Sequence, residues 1–143
     1  LEKRLEAAGY TAKCLFISGS RVPSIPEPNP IYHLPDEEFK RELGRFEGTP
    51  KEVLENQELL DFFLPMLRAD FTMDETYYDK TGIVLHAPIA AFGGEKDGEA
   101  DESAILEWGK YTDNDFNYRI FPGGHFYLRD CEDEVISEVM RLL

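Results

Sequence analysis

Two short strand-like runs, each followed by a Gly-Gly turn, constrain the fold of this chain more than any other feature. The first run covers residues 88–92, and its two glycines are followed by an acid at Asp97. The second covers residues 116–121, and the turn after it carries His125 directly behind two glycines. Short runs of aromatic, β-branched and other apolar residues between turns are typical of strands, and paired glycines let the chain reverse sharply. Because open α/β sheets carry their chemistry at the carboxyl ends of the strands, Asp97 and His125 are expected at one edge of a sheet.

Further segments complete an α/β pattern. Residues 14–18 form another continuous apolar run, which is typical of a parallel strand covered on both faces. Helical periodicity covers residues 1–9, residues 101–112 and the segment from about Cys131 to the end, with Asp130 as the expected cap of this last helix. The sequence therefore predicts about three parallel strands with flanking helices.

The stretch between the first two predicted strands is too long for a simple crossover. Residues 22–35 are rich in proline and predict an extended loop, and residues 36–79 are helical in several pieces. Pro65 is expected to break or kink one of these helices because proline lacks the N–H of the helix ladder. Arg68 and Asp70 are polar residues in an apolar helix, and we expect an ion pair or a cap there. The sequence thus predicts a helical insertion above the sheet.

Composition limits the classes of partner. The chain has 143 residues, which is one domain at most. It carries 29 acidic against 15 basic residues, a formal net charge of −14, so nucleic acid and anionic membrane surfaces are not expected partners. No apolar run approaches the length of a membrane span. Cys14 and Cys131 lie far apart without metal-ligand spacing, and a reducing cytoplasm is the expected compartment.

Residues 14–18 are also too apolar for an exposed sheet edge, which is normally short, charged or covered. In addition, the chain starts inside a predicted helix. We therefore expect a further strand and its neighbours beside residues 14–18, on another polypeptide or on a removed part of this one.

Asp97 and His125 are the candidate catalytic residues. An acid after one strand and a histidine after the next is the order in which an α/β-hydrolase completes its Ser-His-Asp triad, with the nucleophile first. The Gly-x-Ser-x-Gly motif of such a nucleophile does not occur in the sequence. A solvated acid and a surface histidine in a tight turn are the competing interpretations, and Glu95 is the alternative acid. His33 and His86 are expected to be structural or exposed.

The chain resembles the C-terminal portion of a type II thioesterase, one of the stand-alone α/β-hydrolases that accompany nonribosomal peptide and polyketide synthases. The resemblance covers nearly the whole chain and rests on several motifs in the family's order and spacing. These motifs lie at residues 5–9, 15–23, 43–50, 64–71, 92–94 and 122–128.

The resemblance implies a site and a domain organisation. Asp97 aligns with the acid of the family's triad and His125 with its base. The serine of the triad would lie upstream of Leu1, so residues 1–143 would be the C-terminal portion of one α/β-hydrolase domain. The helical insertion, about residues 35–79, would be the family's lid.

The resemblance also implies an activity. The intact enzyme would hydrolyse acyl thioesters from the phosphopantetheine arm of carrier proteins, as an editing or release step in nonribosomal peptide, polyketide or antibiotic biosynthesis. Phosphopantetheine would arrive with the substrate, and no metal or other cofactor is expected. The expected partners are acyl or peptidyl carrier domains. The serine would be carried either by a separate N-terminal fragment or by a removed part of this chain.

Two other functional classes stay open. Another hydrolase or acyltransferase of the same fold would share Asp97 and His125. A non-catalytic fragment that binds carrier proteins is the interpretation if the chain works alone, because an acid and a base without a nucleophile cannot transfer an acyl group.

Overall fold

The computed structural model describes residues 1–46 and 48–143. The chain divides into two compact units. One consists of Leu1–Val22 together with Thr81–Leu143, and the other of Pro23–Lys80. The first unit contains the sheet and both candidate catalytic residues, and the second is helical.

The sheet has three parallel strands, as the sequence predicts. Its strands are β1 (Leu15–Ser18), β2 (Ile89–Gly94) and β3 (Phe116–Phe121), in the spatial order β1-β2-β3. Ser18 pairs with Phe92, and Gly94 pairs with Phe121. All three carboxyl ends therefore reach the same edge of the sheet, which brings the segments that follow them close together.

Strand β2 is central and buried along its whole length. Its side chains alternate between two apolar clusters on opposite faces of the sheet, as the period of two in a strand requires. Ile89 and Ala91 pack with Ile105 of helix α5 (Glu102–Leu106). Ala90 and Phe92 pack on the other face with Val135 of helix α6 (Glu132–Leu142). The predicted flanking helices are confirmed.

The ends of these helices differ in part from the sequence prediction. Asp101 caps α5 by accepting a hydrogen bond from the Ala104 N–H at 2.9 Å, and the chain then continues as a 3₁₀ helix over Glu107–Tyr111. The predicted Asp130 cap of α6 is wrong. The cap position is Cys131, without a side-chain hydrogen bond, because a 3₁₀ turn over Tyr127–Arg129 precedes the helix.

The first unit also contains a short helix, α1 (Glu2–Ala7), where the sequence predicts the tail of a helix. Within the part of the chain that the structure describes, β1 pairs with β2 alone. The further strand expected beside residues 14–18 stays a prediction.

The helical unit contains α2 (Asp36–Leu43), α3 (Lys51–Leu54) and α4 (Gln57–Thr76). The sequence predicts a break or a kink at Pro65. A break is wrong, since α4 continues through Pro65 over its 20 residues, and a kink stays a prediction. Asn56 caps the helix by accepting a hydrogen bond from the Leu59 N–H at 3.1 Å. Leu60 and Leu64, which are buried, and Phe71, which is partly buried, pack on both sides of the proline in one apolar cluster with Phe39 of α2.

Arg68 and Glu75 of α4 fix the segment that leads into α2. The Arg68 guanidinium donates to the Tyr32 and Leu34 carbonyl oxygens at 2.6 and 2.7 Å, and it pairs with Asp36 at 2.7 Å. The Glu75 carboxylate accepts from the Ile31 and Tyr32 amides at 2.8–3.0 Å. The expected ion pair at this point therefore exists, but its acid is Asp36 rather than Asp70.

Helix α4 also carries a second apolar stripe, which is exposed. It consists of Leu59, Phe62, Met66 and Met73. The spacing of three, four and seven residues keeps these side chains on one face of the helix. Among the described residues, no helix is both long and apolar enough to cross a lipid bilayer.

Candidate active site

The segments after the three strands meet at one edge of the sheet. The Gly19 N–H, just after β1, donates to the Phe92 carbonyl oxygen at 2.9 Å. The Glu95 N–H, just after β2, donates to the Phe121 carbonyl oxygen at 2.8 Å, and the Lys96 N–H donates to Gly123 at 2.8 Å. These backbone bonds fix the turn that carries Asp97 against the turn that carries His125.

Asp97 and His125 form a hydrogen-bonded pair. The distance from His125 Nδ1 to Asp97 Oδ2 is 3.0 Å, although the two residues lie 28 positions apart in the chain. The Asp97 side chain is fully buried, whereas 36% of the His125 side chain is exposed. The structure thus brings the two predicted site residues together, with a buried acid behind a partly accessible imidazole. Their catalytic roles stay a prediction.

The second carboxylate oxygen of Asp97 is held by the backbone. Asp97 Oδ1 accepts hydrogen bonds from the Glu99 N–H at 2.8 Å and from the Ala100 N–H at 3.1 Å. These bonds satisfy the buried carboxylate and leave Oδ2 directed at the imidazole. Glu95, the alternative acid, is exposed, so the contact with His125 belongs to Asp97.

Two glycines make the close approach possible. A Cβ atom on Gly94 would lie 2.1 Å from the Gly124 carbonyl oxygen, which no side chain can accommodate. Gly19 has φ +54°, and a Cβ there would lie 3.3 Å from His125 Cε1 and 3.6 Å from Asp97 Oδ2. The backbone at Gly19 therefore forms a wall beside the pair, and only glycine adopts that backbone conformation without strain.

The pair can perform acid–base chemistry. When Nδ1 of a neutral imidazole donates to a carboxylate, the other ring nitrogen, Nε2, carries the lone pair and can accept a proton. The carboxylate also stabilises the imidazolium that then forms. The Phe126 ring meets the His125 ring edge-on, with centroids 5.2 Å apart. Nothing in this arrangement requires a metal, and the described residues contain no group of three or more His, Cys, Asp or Glu that could hold one.

A second histidine–carboxylate pair lies at the opposite edge of the sheet. His86 precedes β2, and its Nδ1 lies 2.9 Å from Asp113 Oδ2. Both side chains are exposed, at 69% and 54%. The hydrogen bond to Asp113, followed by the charges of Asp113 and Glu6, raises the pKa of His86. The expectation that His86 is exposed is confirmed, and His33 is exposed as well.

Sequence reasoning missed one polar contact at the site. Ser18 Oγ, at the end of β1, lies 2.7 Å from the Tyr127 hydroxyl. Tyr127 is fully buried and follows His125 by two residues. Tyr127 lies two residues after His125, which is a sequence signal for a role near the site. Its partner Ser18 is 109 residues away, so no local sequence pattern reveals the contact between them.

Comparison with known proteins identifies the family. The thioesterase domain family matches residues 2–143, and the chain belongs to this family. Over 130 residues the chain is 38% identical to the gramicidin S biosynthesis protein GrsT of Aneurinibacillus migulanus, covering 90% of this chain and 51% of that protein. It is 34% identical over 131 residues to the thioesterase PikA5 of Streptomyces venezuelae, covering 92% and 47%.

Solved structures give the same result for the fold. YbtT, a type II thioesterase from the yersiniabactin nonribosomal peptide and polyketide pathway, superposes with a TM-score of 0.87 at 29% identity. The match covers 98% of this chain and 57% of YbtT. The predicted α/β-hydrolase class and the resemblance to type II thioesterases are thereby confirmed. The chain spans about half the length of the relatives it matches.

Proposed function

We propose that this chain supplies the acid and the base of a Ser-His-Asp thioesterase. The observation that carries the proposal is the hydrogen bond between His125 Nδ1 and the buried carboxylate of Asp97, at the carboxyl ends of parallel strands. Family membership supports the same chemistry, since the relatives include proteins named as thioesterases.

The reaction has two balanced steps. In the first, His125 Nε2 takes the proton of a serine hydroxyl as the serine oxygen attacks the thioester carbonyl carbon. The C–S bond breaks, the imidazolium returns the proton to the leaving sulfur, and an acyl-serine and a free thiol result. In the second, Nε2 takes a proton from water, the hydroxide oxygen displaces the serine oxygen, and the proton returns to serine. Asp97 holds the imidazole in the required tautomer throughout.

The serine and its oxyanion-binding amides are proposed to come from a portion that precedes Leu1, or from a separate polypeptide. Residues 1–143 would then be the C-terminal portion of one α/β-hydrolase domain. The share of the relatives that the chain covers, 51% of GrsT and 47% of PikA5, supports this organisation.

The proposed substrate is an acyl group on the phosphopantetheine arm of a carrier protein, and carrier domains are the proposed partners. GrsT is named for gramicidin S biosynthesis, and YbtT belongs to a pathway of nonribosomal peptide and polyketide synthesis. The phosphopantetheine group belongs to the substrate, so the proposal includes no resident cofactor.

Residues 35–79 are proposed to act as a lid that contacts the acyl group. The exposed apolar stripe of α4, Leu59, Phe62, Met66 and Met73, supports this role because an acyl chain requires an apolar surface. The cytoplasm is the proposed compartment. Two free cysteines, Cys14 and Cys131, suit its reducing conditions.

The test measures thioester hydrolysis by two samples. One is the longest natural polypeptide that contains residues 1–143, and the other is residues 1–143 alone. Acyl groups of several lengths would be offered as carrier-protein thioesters and as oxygen esters of matched alcohols. We expect the longer polypeptide to release free acid from the thioesters, with no turnover by residues 1–143 alone. Preferential cleavage of oxygen esters, or acyl transfer to a second acceptor instead of water, would contradict the thioesterase proposal.

A further inference from the structure

The turn that carries His125 is tied to the end of β1 by a hydroxyl pair. The backbone N–H of Tyr127 donates to the Gly124 carbonyl oxygen at 3.2 Å, so His125 and Phe126 are the central residues of a turn that Tyr127 closes. The Tyr127 hydroxyl lies 2.7 Å from Ser18 Oγ. The same tyrosine therefore closes the turn through its backbone and connects it to another strand through its side chain.

Packing alone does not require this hydroxyl. The Tyr127 ring is stacked on Phe121, with centroids 5.2 Å apart and planes 6° from parallel, and a phenylalanine would fill the same space. Burial raises the pKa of Tyr127, and the nearby charge of Asp97 raises it further, against the opposing effect of the Ser18 bond. The hydroxyl is thus protonated at neutral pH and available to the bond with Ser18.

Ser18, the partner of Tyr127, directly precedes Gly19, the residue beside the His125–Asp97 pair. Ser18 is the last residue of β1 and precedes Gly19, where a Cβ atom would lie 3.3 Å from His125 Cε1 and 3.6 Å from Asp97 Oδ2. A bond between Ser18 and Tyr127 therefore fixes the distance between Gly19 and the turn that holds the imidazole. Among the described residues Ser18 is exposed, and its hydroxyl contacts the Tyr127 hydroxyl.

We propose that Tyr127 is a positioning residue for His125, and that it acts through the hydrogen bond between its hydroxyl and Ser18. The inference rests on the proposed role of His125 as the base. Without the bond, the side-chain connection between this turn and the end of β1 is lost, and the imidazole samples orientations in which Nδ1 leaves Asp97. Supports of this kind preserve the geometry that a reacting group needs.

The test reads the imidazole directly in the 143-residue chain, by ¹⁵N NMR of the His125 ring nitrogens and by the exchange rate of the Nδ1 proton with water. Tyr127→Phe and Ser18→Ala each remove one hydroxyl. Ser18→Thr keeps a hydroxyl, and Tyr118→Phe is the matched control, because Tyr118 is a half-exposed tyrosine on β3 outside the site.

We expect Tyr127→Phe and Ser18→Ala each to speed exchange of the Nδ1 proton about fivefold, the effect of one neutral hydrogen bond. The double variant should resemble either single variant, since both remove the same bond. Ser18→Thr and Tyr118→Phe should match the unmodified chain. Unchanged exchange and an unchanged tautomer in both single variants would overturn the proposal, even if their stability fell.

Two further results keep this inference separate from the proposed function. If Tyr127→Phe does not fold, Ser18→Ala still tests the proposal. Ser18 is exposed, so we expect its replacement by alanine to preserve the fold. In a polypeptide with thioesterase activity, Tyr127→Phe should lower kcat about fivefold and leave KM unchanged. A polypeptide without that activity, in which His125 still responds to Tyr127→Phe, would contradict the proposed function and support the positioning role.

Discussion

Gly94 and Gly124 approach each other so closely that a Cβ atom on Gly94 would lie 2.1 Å from the Gly124 carbonyl oxygen. Gly94 ends β2, and Gly124 directly precedes His125. The separation of the two turns, and with it the contact between Asp97 and His125, therefore depends on the absence of a side chain at Gly94.

Gly94→Ala should displace the turn at Gly124 and destabilise the fold by about 1–3 kcal/mol, the usual cost of overpacking a closely packed site. Urea unfolding monitored by circular dichroism measures this change. Gly98→Ala is the matched control, because a Cβ at Gly98 meets no atom within 4 Å, and we expect it to stay within about 0.5 kcal/mol of the unmodified chain. Equal stability of the two variants would show that the turns are not in contact.

Pro65→Ala should stabilise helix α4. Pro65 is exposed in the interior of this helix, where a proline removes one hydrogen bond and costs up to about 3 kcal/mol relative to alanine. The unfolded chain gains freedom when proline is lost, so the net gain should be about 1–2 kcal/mol. The measurement is the urea midpoint, with Met66→Ala, an exposed neighbour on α4, as the control. A lower urea midpoint for Pro65→Ala than for the unmodified chain would contradict the prediction. It would mean that the backbone conformation at this position favours proline over alanine.

His86 should show a pH-dependent contribution to stability. Its folded-state pKa is raised by Asp113 and Glu6, so its contribution is fully present below the unfolded pKa near 6.5 and is lost as pH rises through the folded pKa. Proton NMR titration should place the His86 midpoint above its ordinary value. Asp113→Asn should return the midpoint towards that value and remove this part of the pH dependence. A His86 titration midpoint that is unchanged in Asp113→Asn would contradict the ion pair.

Much of the first unit follows from local sequence. The strand at residues 116–121 matches β3 residue for residue, because a short run rich in aromatic and β-branched residues between two turns is typical of a strand. The proximity of Asp97 and His125 also follows, since each lies in the turn after a parallel strand. The parallel register then carries both residues to the same edge.

The remaining features depend on contacts between distant residues. From the sequence, Pro65 predicts that the helix breaks or kinks there. Packing of Leu60, Leu64 and Phe71 instead maintains α4 across the proline. The Ser18–Tyr127 bond joins residues 109 positions apart. Such contacts arise only when the elements that carry them pack together, so neither periodicity nor turn chemistry reveals them.

The most direct test of the central claim compares the two histidine–carboxylate pairs in the longest natural polypeptide that contains them. Asp97→Asn and His125→Ala alter the pair at the carboxyl ends of the strands, and Asp113→Asn and His86→Ala alter the exposed pair at the other edge. We expect the first two changes to lower kcat for thioester hydrolysis by about 10³-fold or more, and the other two to stay within about twofold of the unmodified enzyme. Retained activity in His125→Ala, or an equal loss in His86→Ala, would contradict the assignment of the site.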